Sequence, residues 1–289
     1  MTQTIGIAGT GRMGTAFARR LIETGHSVHV WNRSPARLAA AVGAGATATD
    51  LAGLAACDTI LLSLTDAAAS EAVLERLINA GLTGRLVIEL STLLPADADA
   101  LAARATASGA DFLHCPVGGT VAPALKGQLL GLAGGTRAAF DRAMPVLGSL
   151  CRRFEHLGTP GAAARMKLAI NLPLAIYWET LGESLALLRG AGVPNDLAIS
   201  LIADSSAGPT VLKNRAQVVV DTLNGTDQPG TFDIAGLTKD LMLALTLAET
   251  EGAFLPLAQS AVPRMRAALD AGLGHCDGAT LTRLTASGS

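Results

Sequence analysis

Hydrophobic positions in the first half of the chain follow two alternating patterns. Short apolar runs, typical of buried strands, are separated by longer segments in which alanine and leucine recur at helical spacing. The runs predict strands over residues 5–8, 27–31, 59–64, 86–89, 111–115, 129–133 and 151–156. The segments between them predict helices over residues 14–25, 36–43, 50–55, 67–79, 95–108 and 140–147. This alternation predicts an α/β domain with a doubly wound parallel sheet covered by helices on both faces.

The pattern becomes purely helical after the glycine-containing segment at residues 158–161. Helices are predicted over residues 162–189, 197–204, 210–220, 234–251 and 257–271, and the tail 280–289 is predicted to be frayed or disordered. We therefore predict two domains, an α/β domain of residues 1–161 and an all-α domain of residues 162–289. The long helix over 162–189 is predicted to begin the second domain.

The first predicted strand leads directly into the turn Gly9-Thr10-Gly11-Arg12-Met13-Gly14. Between a strand and a helix, three glycines at this spacing are typical of a dinucleotide-binding site. The first permits the tight turn, the second lets the backbone approach a pyrophosphate, and the third lets the helix pack closely on the strand. The helix N-terminus then offers N–H groups to the anion. The alternative is an ordinary strand–helix turn without a ligand.

The residues after the second predicted strand indicate which cofactor is bound. An NAD site usually carries an acidic residue here, which binds the ribose 2′-hydroxyl. This chain has Asn32, Arg33 and Ser34 instead, with Arg37 one turn later. Because a guanidinium and a hydroxyl suit a 2′-phosphate, we expect NADP, with NADPH preferred over NADH. The alternative is a solvated arginine pair beside a loop.

Composition narrows the possible partners of the 289-residue chain. It is 49% hydrophobic and 16% charged, which suits a large core and contacts within an oligomer. A net charge of −2 without a basic stripe argues against nucleic acid, and no apolar run is long enough to span a bilayer. Because the N-terminus lacks the features of a signal peptide, we expect a cytoplasmic protein. Scattered cysteines and histidines predict neither a disulfide framework nor a metal site.

Ligands of open α/β sheets bind at the carboxyl ends of the strands, so the turns at that edge are further candidates. These turns are small or hydroxylated, and they include Leu64 and Thr65, then Thr92, and then Gly118, Gly119 and Thr120. Each turn is equally consistent with ordinary capping of the helix that follows.

Lys167 is the sharper candidate for chemistry because its downstream neighbours are apolar. Asn171 follows four residues later and shares a helix face with it. Apolar surroundings disfavour the charged lysine, so Lys167 would exchange a proton with a carbonyl oxygen as a general acid/base. Asn171 would orient the ammonium or hold the substrate oxygen. The alternative is a lysine that extends to solvent.

Lys239 and Asp240 form a second polar pair, which either reaches the site or lies at the surface.

Taken in order, these motifs resemble the β-hydroxyacid dehydrogenases, the family of 3-hydroxyisobutyrate dehydrogenase and the glyoxylate/succinic semialdehyde reductases. The matching features are the glycine turn, Asn32-Arg33-Ser34, Ser91-Thr92, Pro116-Val117-Gly118-Gly119, Lys167 with Asn171, and Phe232 with Lys239-Asp240. The resemblance implies a Rossmann domain, an interdomain helix and a helical domain, assembled as homodimers or homotetramers. It also implies that Lys167 is the general acid/base with Asn171 as its partner, that Thr92 contacts the nicotinamide ribose region, and that Lys239 lines the cofactor and substrate cleft.

The chain departs from the family in the substrate loop, which commonly reads D-A-P-V-S-G-G. The acidic position is His114, and the serine that helps to hold a substrate carboxylate is Gly118. Backbone N–H groups of Gly118 and Gly119, or the Thr120 hydroxyl, would have to replace that serine. Three hypotheses stay open: an NADPH-dependent reductase that converts a small aldehyde or keto acid into a hydroxy acid, an imine reductase on the same fold, and a non-catalytic NADP-binding sensor. Imine reductases usually lack the lysine, so Lys167 favours the first.

Overall fold

The computed structural model describes residues 3–288, which form two compact units. The first unit ends at Lys167 and the second begins at Leu168. The first contains nine strands: β1 Thr4–Ala8, β2 Ser27–Trp31, β3 Thr47–Ala48, β4 Thr59–Leu62, β5 Leu86–Glu89, β6 Asp111–His114, β7 Val117–Gly118, β8 Leu129–Gly135 and β9 Cys151–His156. Its helices are α1 Arg12–Glu23, α2 Ala39–Val42, α3 Leu51–Ala55, α4 Ala67–Ala80, α5 Pro95–Ala107, α6 Val121–Leu125 and α7 Arg137–Leu150.

Helix α8, Pro160–Ala186, begins in the first unit and continues in the second. The second unit is otherwise built from helices that follow one another along the chain: α9 Asn195–Asp204, α10 Thr210–Leu223, α11 Ile234–Glu251, α12 Pro256–Asp270 and α13 Ala279–Ser287. The predicted class, a Rossmann-type α/β domain followed by a helical domain, is confirmed. The exact boundary at residue 161 stays a prediction, and residues 1, 2 and 289 of the predicted domains lie outside the described residues.

The strand order is β3-β2-β1-β4-β5-β6-β8-β7, with β9 beside β8. The pairs from β3 to β6 are parallel, as predicted. The sheet is mostly parallel, as predicted, and the exception is β8, which runs antiparallel to both β6 and β7. The reason is local: α6 has only 5 residues and packs against α1, so no helix crosses the sheet between β6 and β8.

Two apolar layers cover the parallel part of the sheet. Strands β4 and β5 are buried at every position, as the continuous apolar runs in their sequences require. One layer packs α1 and α7 against the sheet, and the other packs α3, α4 and α5 against its opposite face. The sheet is therefore a rigid platform whose strand ends hold the connecting turns in place.

The prediction of a frayed tail is wrong for residues 280–287, which belong to α13; Ser289 lies outside the described residues. Within the second unit, the hydroxyl of Thr282 donates to the carbonyl oxygen of Trp178 at 2.7 Å, and Leu281 is 1% exposed. A Cβ at Gly278 would lie 2.3 Å from Trp178 Nε1, so α13 packs on the last turns of α8 without space between them. The sequence did not reveal this packing because the segment looks polar, whereas the hydroxyl of Thr282 points into the unit and bonds to the backbone there.

All four cysteines, Cys57, Cys115, Cys151 and Cys276, are free and buried. Burial raises the pKa of Cys57 to about 11 and that of Cys151 to about 12. No group of three metal-ligating side chains occurs in residues 3–288, and none of the helices described there is long and apolar enough to cross a membrane.

The C-terminal helix should contribute measurably to stability. We expect Leu281→Ala to lower the free energy of unfolding by about 2–5 kcal/mol, because it leaves a cavity between α13 and its neighbours. The matched control is Leu257→Ala in α12, where the side chain is 69% exposed and the change should stay within about 0.5 kcal/mol. Urea unfolding followed by circular dichroism measures both, and equal midpoints for the two variants would contradict the packing of α13.

Candidate active site

The carboxyl ends of β1, β2, β4, β5 and β6 lie along one edge of the sheet. The register pairs Ala8 with Trp31 and with Leu62, then Leu62 with Glu89, and Glu89 with His114. Because parallel strands in register end together, the turns that follow them meet at this edge. The predicted cofactor and loop residues of the first unit are therefore gathered in one region.

The glycine turn between β1 and α1 leaves no space for side chains at two of its three glycines. Gly9 has φ +99°, and a Cβ there would lie 2.2 Å from the carbonyl oxygen of Ser63. A Cβ at Gly14 would lie 1.8 Å from the carbonyl oxygen of Gly9. At Gly11, in contrast, a Cβ would meet no atom of the described residues within 4 Å. Packing within the protein thus requires Gly9 and Gly14, whereas the space in front of Gly11 is open to a ligand.

Helix α1 begins beside that open space with Gly11 as its N-cap residue. Within residues 3–288, no side chain caps this helix end. Its first turn therefore presents backbone N–H groups and the positive end of the helix dipole. Met13 is half-buried and packs against the core. This arrangement fits the phosphates of a dinucleotide.

Asn32 and Thr10 fasten the glycine turn to the loop after β2. The backbone N–H of Thr10 donates to Asn32 Oδ1 at 3.1 Å, and Asn32 Nδ2 donates to the carbonyl oxygen of Ser34 at 3.0 Å. The hydroxyl of Thr10 donates to the carbonyl oxygen of Arg37 at 2.8 Å. Arg33, Ser34 and Arg37 are exposed. The side chains of Asn32 and Thr10 thus hold the loop that presents the two arginines and the serine to solvent.

Ser91, directly after β5, connects three neighbouring segments. Its backbone N–H donates to Glu89 Oε1 at 2.8 Å, and its hydroxyl accepts from the backbone N–H of Leu64 at 3.0 Å. Its carbonyl oxygen lies 3.0 Å from His114 Nε2. Sequence reasoning named Thr92 and Leu64 as site residues but did not identify Glu89 as the group that holds their turn. The available signal was a carboxylate at the end of an otherwise apolar strand.

Glu89 and His114 are fully buried and titratable. Burial raises the pKa of Glu89, although hydrogen bonds from Ser91 act in the opposite direction. Burial lowers the pKa of His114, although its hydrogen bonds with the Ser91 and Pro160 carbonyls and the charge of Asp99 oppose that shift. Since the side chain of His114 is 0% exposed and both ring nitrogens contact carbonyl oxygens, it has no open face for a substrate.

The loop that the resemblance assigns to the substrate, residues 114–120, contains Gly118 in β7 and Gly119 directly after it. A Cβ at Gly118 would lie 3.4 Å from Leu130 Cβ, which is an ordinary contact. Gly119 has φ +116°, and a Cβ there would lie 2.8 Å from Leu129 Cδ2, so glycine is needed at this position. Thr120 is half-buried and precedes α6. Thr65, on the turn after β4, is exposed, and its hydroxyl donates to Asp66 at 2.8 Å.

Lys167 is 8% exposed, and its Nζ donates to the carbonyl oxygen of Val117 at 2.9 Å. The alternative of a lysine that extends to solvent is therefore wrong. Asp99 holds the start of α8: its Oδ1 accepts from the backbone N–H of Gly161 at 2.9 Å, and a Cβ at Gly161 would lie 2.6 Å from Asp99 Oδ2. The Nζ of Lys167 is thus held beside residues 114–120.

In the second unit, Asn171 is 5% exposed, and its Nδ2 donates to Asp240 Oδ2 at 2.6 Å. Lys239 Nζ lies 3.3 Å from Asp240 Oδ1. Asp240 is 4% exposed, so this pair is not a plain surface pair, although the Lys239 side chain is 40% exposed. The sequence left open whether the Lys239–Asp240 pair reaches the site, and it did not reveal that Asp240 is the partner of Asn171.

Two family models match consecutive parts of the chain. Residues 4–158 match the NAD-binding domain of 6-phosphogluconate dehydrogenase, and residues 161–285 match the NAD-binding domain of NADP-dependent 3-hydroxyisobutyrate dehydrogenase. The chain belongs to the β-hydroxyacid dehydrogenase family. It is therefore an NAD(P)-dependent oxidoreductase, as the resemblance in the sequence implied.

Similar proteins span nearly the whole chain. The chain is 32% identical to 3-sulfolactaldehyde reductase of Escherichia coli, over 94% of this chain and 92% of that protein. It is 27% identical to glyoxylate/succinic semialdehyde reductase 1 of Arabidopsis thaliana, over 94% of this chain and 95% of that protein. A structure of 3-hydroxyisobutyrate dehydrogenase from Mycobacterium tuberculosis with L-serine superimposes with a TM-score of 0.87 at 25% identity, covering 98% of each chain. An imine reductase of Streptomyces aurantiacus, with a TM-score of 0.67 and 22% identity over 98% and 99% of the chains, shows the shared fold alone.

The buried carboxyl of Glu89 predicts a specific pH dependence of stability. Because burial raises its folded pKa above the ordinary value of 4.5, its contribution is fully present below pH 4.5 and is lost as the pH rises through the folded pKa. Glu89→Gln keeps an oxygen for the Ser91 N–H but cannot ionise. We expect wild type to lose stability relative to this variant by up to about 1.4 kcal/mol per pH unit in that window.

Urea unfolding across a pH series measures the difference. The matched control is Glu249→Gln, at an exposed position of α11. Its unfolding free energy should run parallel to wild type. A Glu89→Gln curve that also ran parallel to wild type would mean that Glu89 does not titrate differently in the folded protein.

Proposed function

We propose that this chain is an NADPH-dependent reductase that interconverts a small aldehyde or keto acid and the corresponding hydroxy acid. The observation that carries the proposal is the buried ammonium of Lys167, held 2.9 Å from the Val117 carbonyl beside a loop with two adjacent glycines. The named relatives that act on semialdehydes and hydroxy acids support this class of substrate.

The first unit has the groups needed to hold NADPH. The open space at Gly11 and the uncapped start of α1 suit the pyrophosphate, while exposed Arg33, Ser34 and Arg37 suit a 2′-phosphate. Arg12, at the helix start, and Lys239, in the second unit, would add positive charge. Leu64, Thr65 and Thr92 would contact the nicotinamide half. When bound, the cofactor supplies or accepts the hydride.

Lys167 would hold and move the proton of the reaction. In the direction of reduction, its Nζ donates a proton to the substrate carbonyl oxygen, and in oxidation it takes that proton back. Its bond to Val117 limits the positions that the ammonium can occupy before substrate arrives. Asn171, whose amide is oriented by Asp240, would hold the substrate oxygen or the ammonium. Backbone N–H groups of Gly118 and Gly119, with the Thr120 hydroxyl, would bind a substrate carboxylate.

Imine reduction is the alternative that the loop supports, because Gly118 offers no hydroxyl to a carboxylate. A buried lysine favours carbonyl chemistry, since it supplies a proton to an oxygen that becomes an alkoxide.

We also propose a homodimer or homotetramer, because large apolar side chains of the second unit, among them Leu187, Leu201 and Phe254, are more than half exposed. Analytical ultracentrifugation measures the assembly.

The lysine is tested by Lys167→Ala. We expect kcat to fall by about 10²–10⁴ because the general acid is lost, while the Kd for NADPH, from nucleotide fluorescence, stays within about twofold. The matched control is Lys213→Ala, an exposed lysine on α10. Activity is measured with succinic semialdehyde, glyoxylate, 3-hydroxyisobutyrate and a cyclic imine, each with both nicotinamides.

Each outcome of this assay has a consequence. Turnover of the imine alone would replace the proposal with the imine reductase. Tight NADPH binding without turnover of any compound would favour the non-catalytic sensor. Full activity in the alanine variant would reject Lys167 as the proton donor.

The glycine turn gives a matched pair of tests within six residues. Gly11→Ala should fold with wild-type stability but weaken NADPH binding by about tenfold, because its methyl group would occupy the space proposed for the pyrophosphate. Gly14→Ala should fail to fold stably, because its Cβ would overlap the Gly9 carbonyl oxygen. Thermal unfolding and fluorescence titration separate the two effects, and unchanged NADPH affinity in Gly11→Ala would contradict the proposed site.

Arg33→Asp tests the choice of cofactor. Loss of a charge-assisted hydrogen bond to the 2′-phosphate should reduce the preference for NADPH over NADH by about 10- to 100-fold in kcat/KM. Arg266→Asp, at an exposed position of α12, makes the same charge change in the second unit and should leave the preference unchanged. An unaltered preference in Arg33→Asp would refute the role of Arg33.

A further inference from the structure

His114 occupies a position between two segments that the proposed reaction needs. Its Nε2 lies 3.0 Å from the carbonyl oxygen of Ser91, and its Nδ1 lies 3.2 Å from the carbonyl oxygen of Pro160. Ser91 precedes Thr92 in the proposed nicotinamide turn, and Pro160 is the first residue of α8, which carries Lys167 about two turns later. The ring thus spans from the cofactor edge of the sheet to the helix of the proposed proton donor.

Carbonyl oxygens accept hydrogen bonds and cannot donate them, so both contacts need an N–H on the ring. Burial lowers the pKa of His114 and so favours the neutral imidazole, which has one N–H and donates to one of the two carbonyls at a time. The ring is 0% exposed, so water does not compete for either contact. Removal of the ring would take this donor from the carbonyl of buried Ser91 and from that of half-buried Pro160, and the loss at Ser91 is the costlier one because water does not replace the donor there.

Each of the two segments that His114 contacts is itself held by further hydrogen bonds. At one end, Ser91 also holds Glu89 through its N–H and Leu64 through its hydroxyl, so the turns after β4 and β5 move together. At the other end, Asp99 accepts from the N–H of Gly161, which fixes the first turn of α8. The two ring nitrogens of His114 contact one carbonyl of each assembly.

We propose that His114 is a positioning residue, which couples the Ser91–Thr92 turn to the start of α8 and so sets the position of Lys167 relative to the nicotinamide turn. The part that concerns Lys167 rests on the proposed function. The coupling itself does not, because it is a statement about two backbone segments of the first unit.

Two conservative variants separate the two bonds. The amide nitrogen of His114→Gln reaches the place of Nε2 and can keep the bond to Ser91, whereas that of His114→Asn reaches the place of Nδ1 and can keep the bond to Pro160. We expect kcat to fall by about 3- to 10-fold in each variant, the factor for one buried hydrogen bond, with the Kd for NADPH within about twofold of wild type. The matched control is Leu113→Val, a change at the neighbouring buried position of β6, whose side chain points to the face of the sheet opposite to that of His114.

Amide hydrogen exchange of the intact protein gives a readout that does not need substrate. His114→Gln should speed exchange in the first turn of α8, including Gly161, and leave the 90–93 segment unchanged. His114→Asn should do the reverse, with faster exchange at Leu64 and Ser91. Leu113→Val should change the two segments equally or not at all.

The outcomes distinguish this inference from the proposed function. Wild-type exchange in both segments for both variants would overturn the coupling, even if Lys167 is the proton donor. A loss of kcat no greater than in Leu113→Val would overturn the positioning role. Absence of turnover by wild type with every compound tested would overturn the proposed function, while the exchange pattern would still decide whether His114 couples the segments.

Discussion

The carbonyl oxygen of Gly9 lies 1.8 Å from the place where Gly14 would carry a Cβ, so β1 and α1 meet only because that Cβ is missing. This close approach fixes where α1 begins relative to the sheet and keeps its first turn directed along the strand ends. The remaining turns are arranged around it, since Thr10 binds the loop after β2, and Ser63 contacts Gly9 from the strand on the other side. The cofactor region of the first unit follows from this one steric constraint.

At the sheet edge, side chains hold the backbone of the turns in place through hydrogen bonds. Asn32 and Ser91 each bind two or more segments through both donors and acceptors, which leaves little freedom for the loops that present Arg33 and Thr92. Lys167 is held in the same way by the Val117 carbonyl. Preorganisation of this kind lowers the entropy that binding and proton transfer would otherwise cost.

The parts that sequence predicted well are those with local causes. The glycine turn, β2, β5 and α11 follow from spacing, capping and apolar runs, and the family follows from the ordered motifs. β7, α6 and the direction of β8 depend on how a fourteen-residue connection (roughly 115–128) folds back, which no local pattern specifies. The polar appearance of α13 concealed inward hydroxyls such as that of Thr282, and the burial of Lys167 was decided by tertiary contact with Val117.

His114 and Asp240 show a further limit of prediction from sequence. A single titratable residue in an apolar segment reveals that something must satisfy it, but the partner lies far along the chain: Asp240 meets an amide 69 positions away, and His114 a carbonyl 46 positions away. Sequence reasoning without aligned relatives can therefore flag such residues and cannot pair them.

The burial of all four thiols also has a practical consequence. Alkylating and disulfide reagents attack the thiolate, and burial both shields these sulfurs and keeps them protonated by raising the pKa of Cys57 and Cys151. The thiols of the folded chain should thus not react with such reagents. A cysteine should be modified only after the structure around it has opened. Cys57, Cys115 and Cys151 lie in the first unit and Cys276 lies in the second. The rate at which each thiol is modified therefore measures how often its own unit opens.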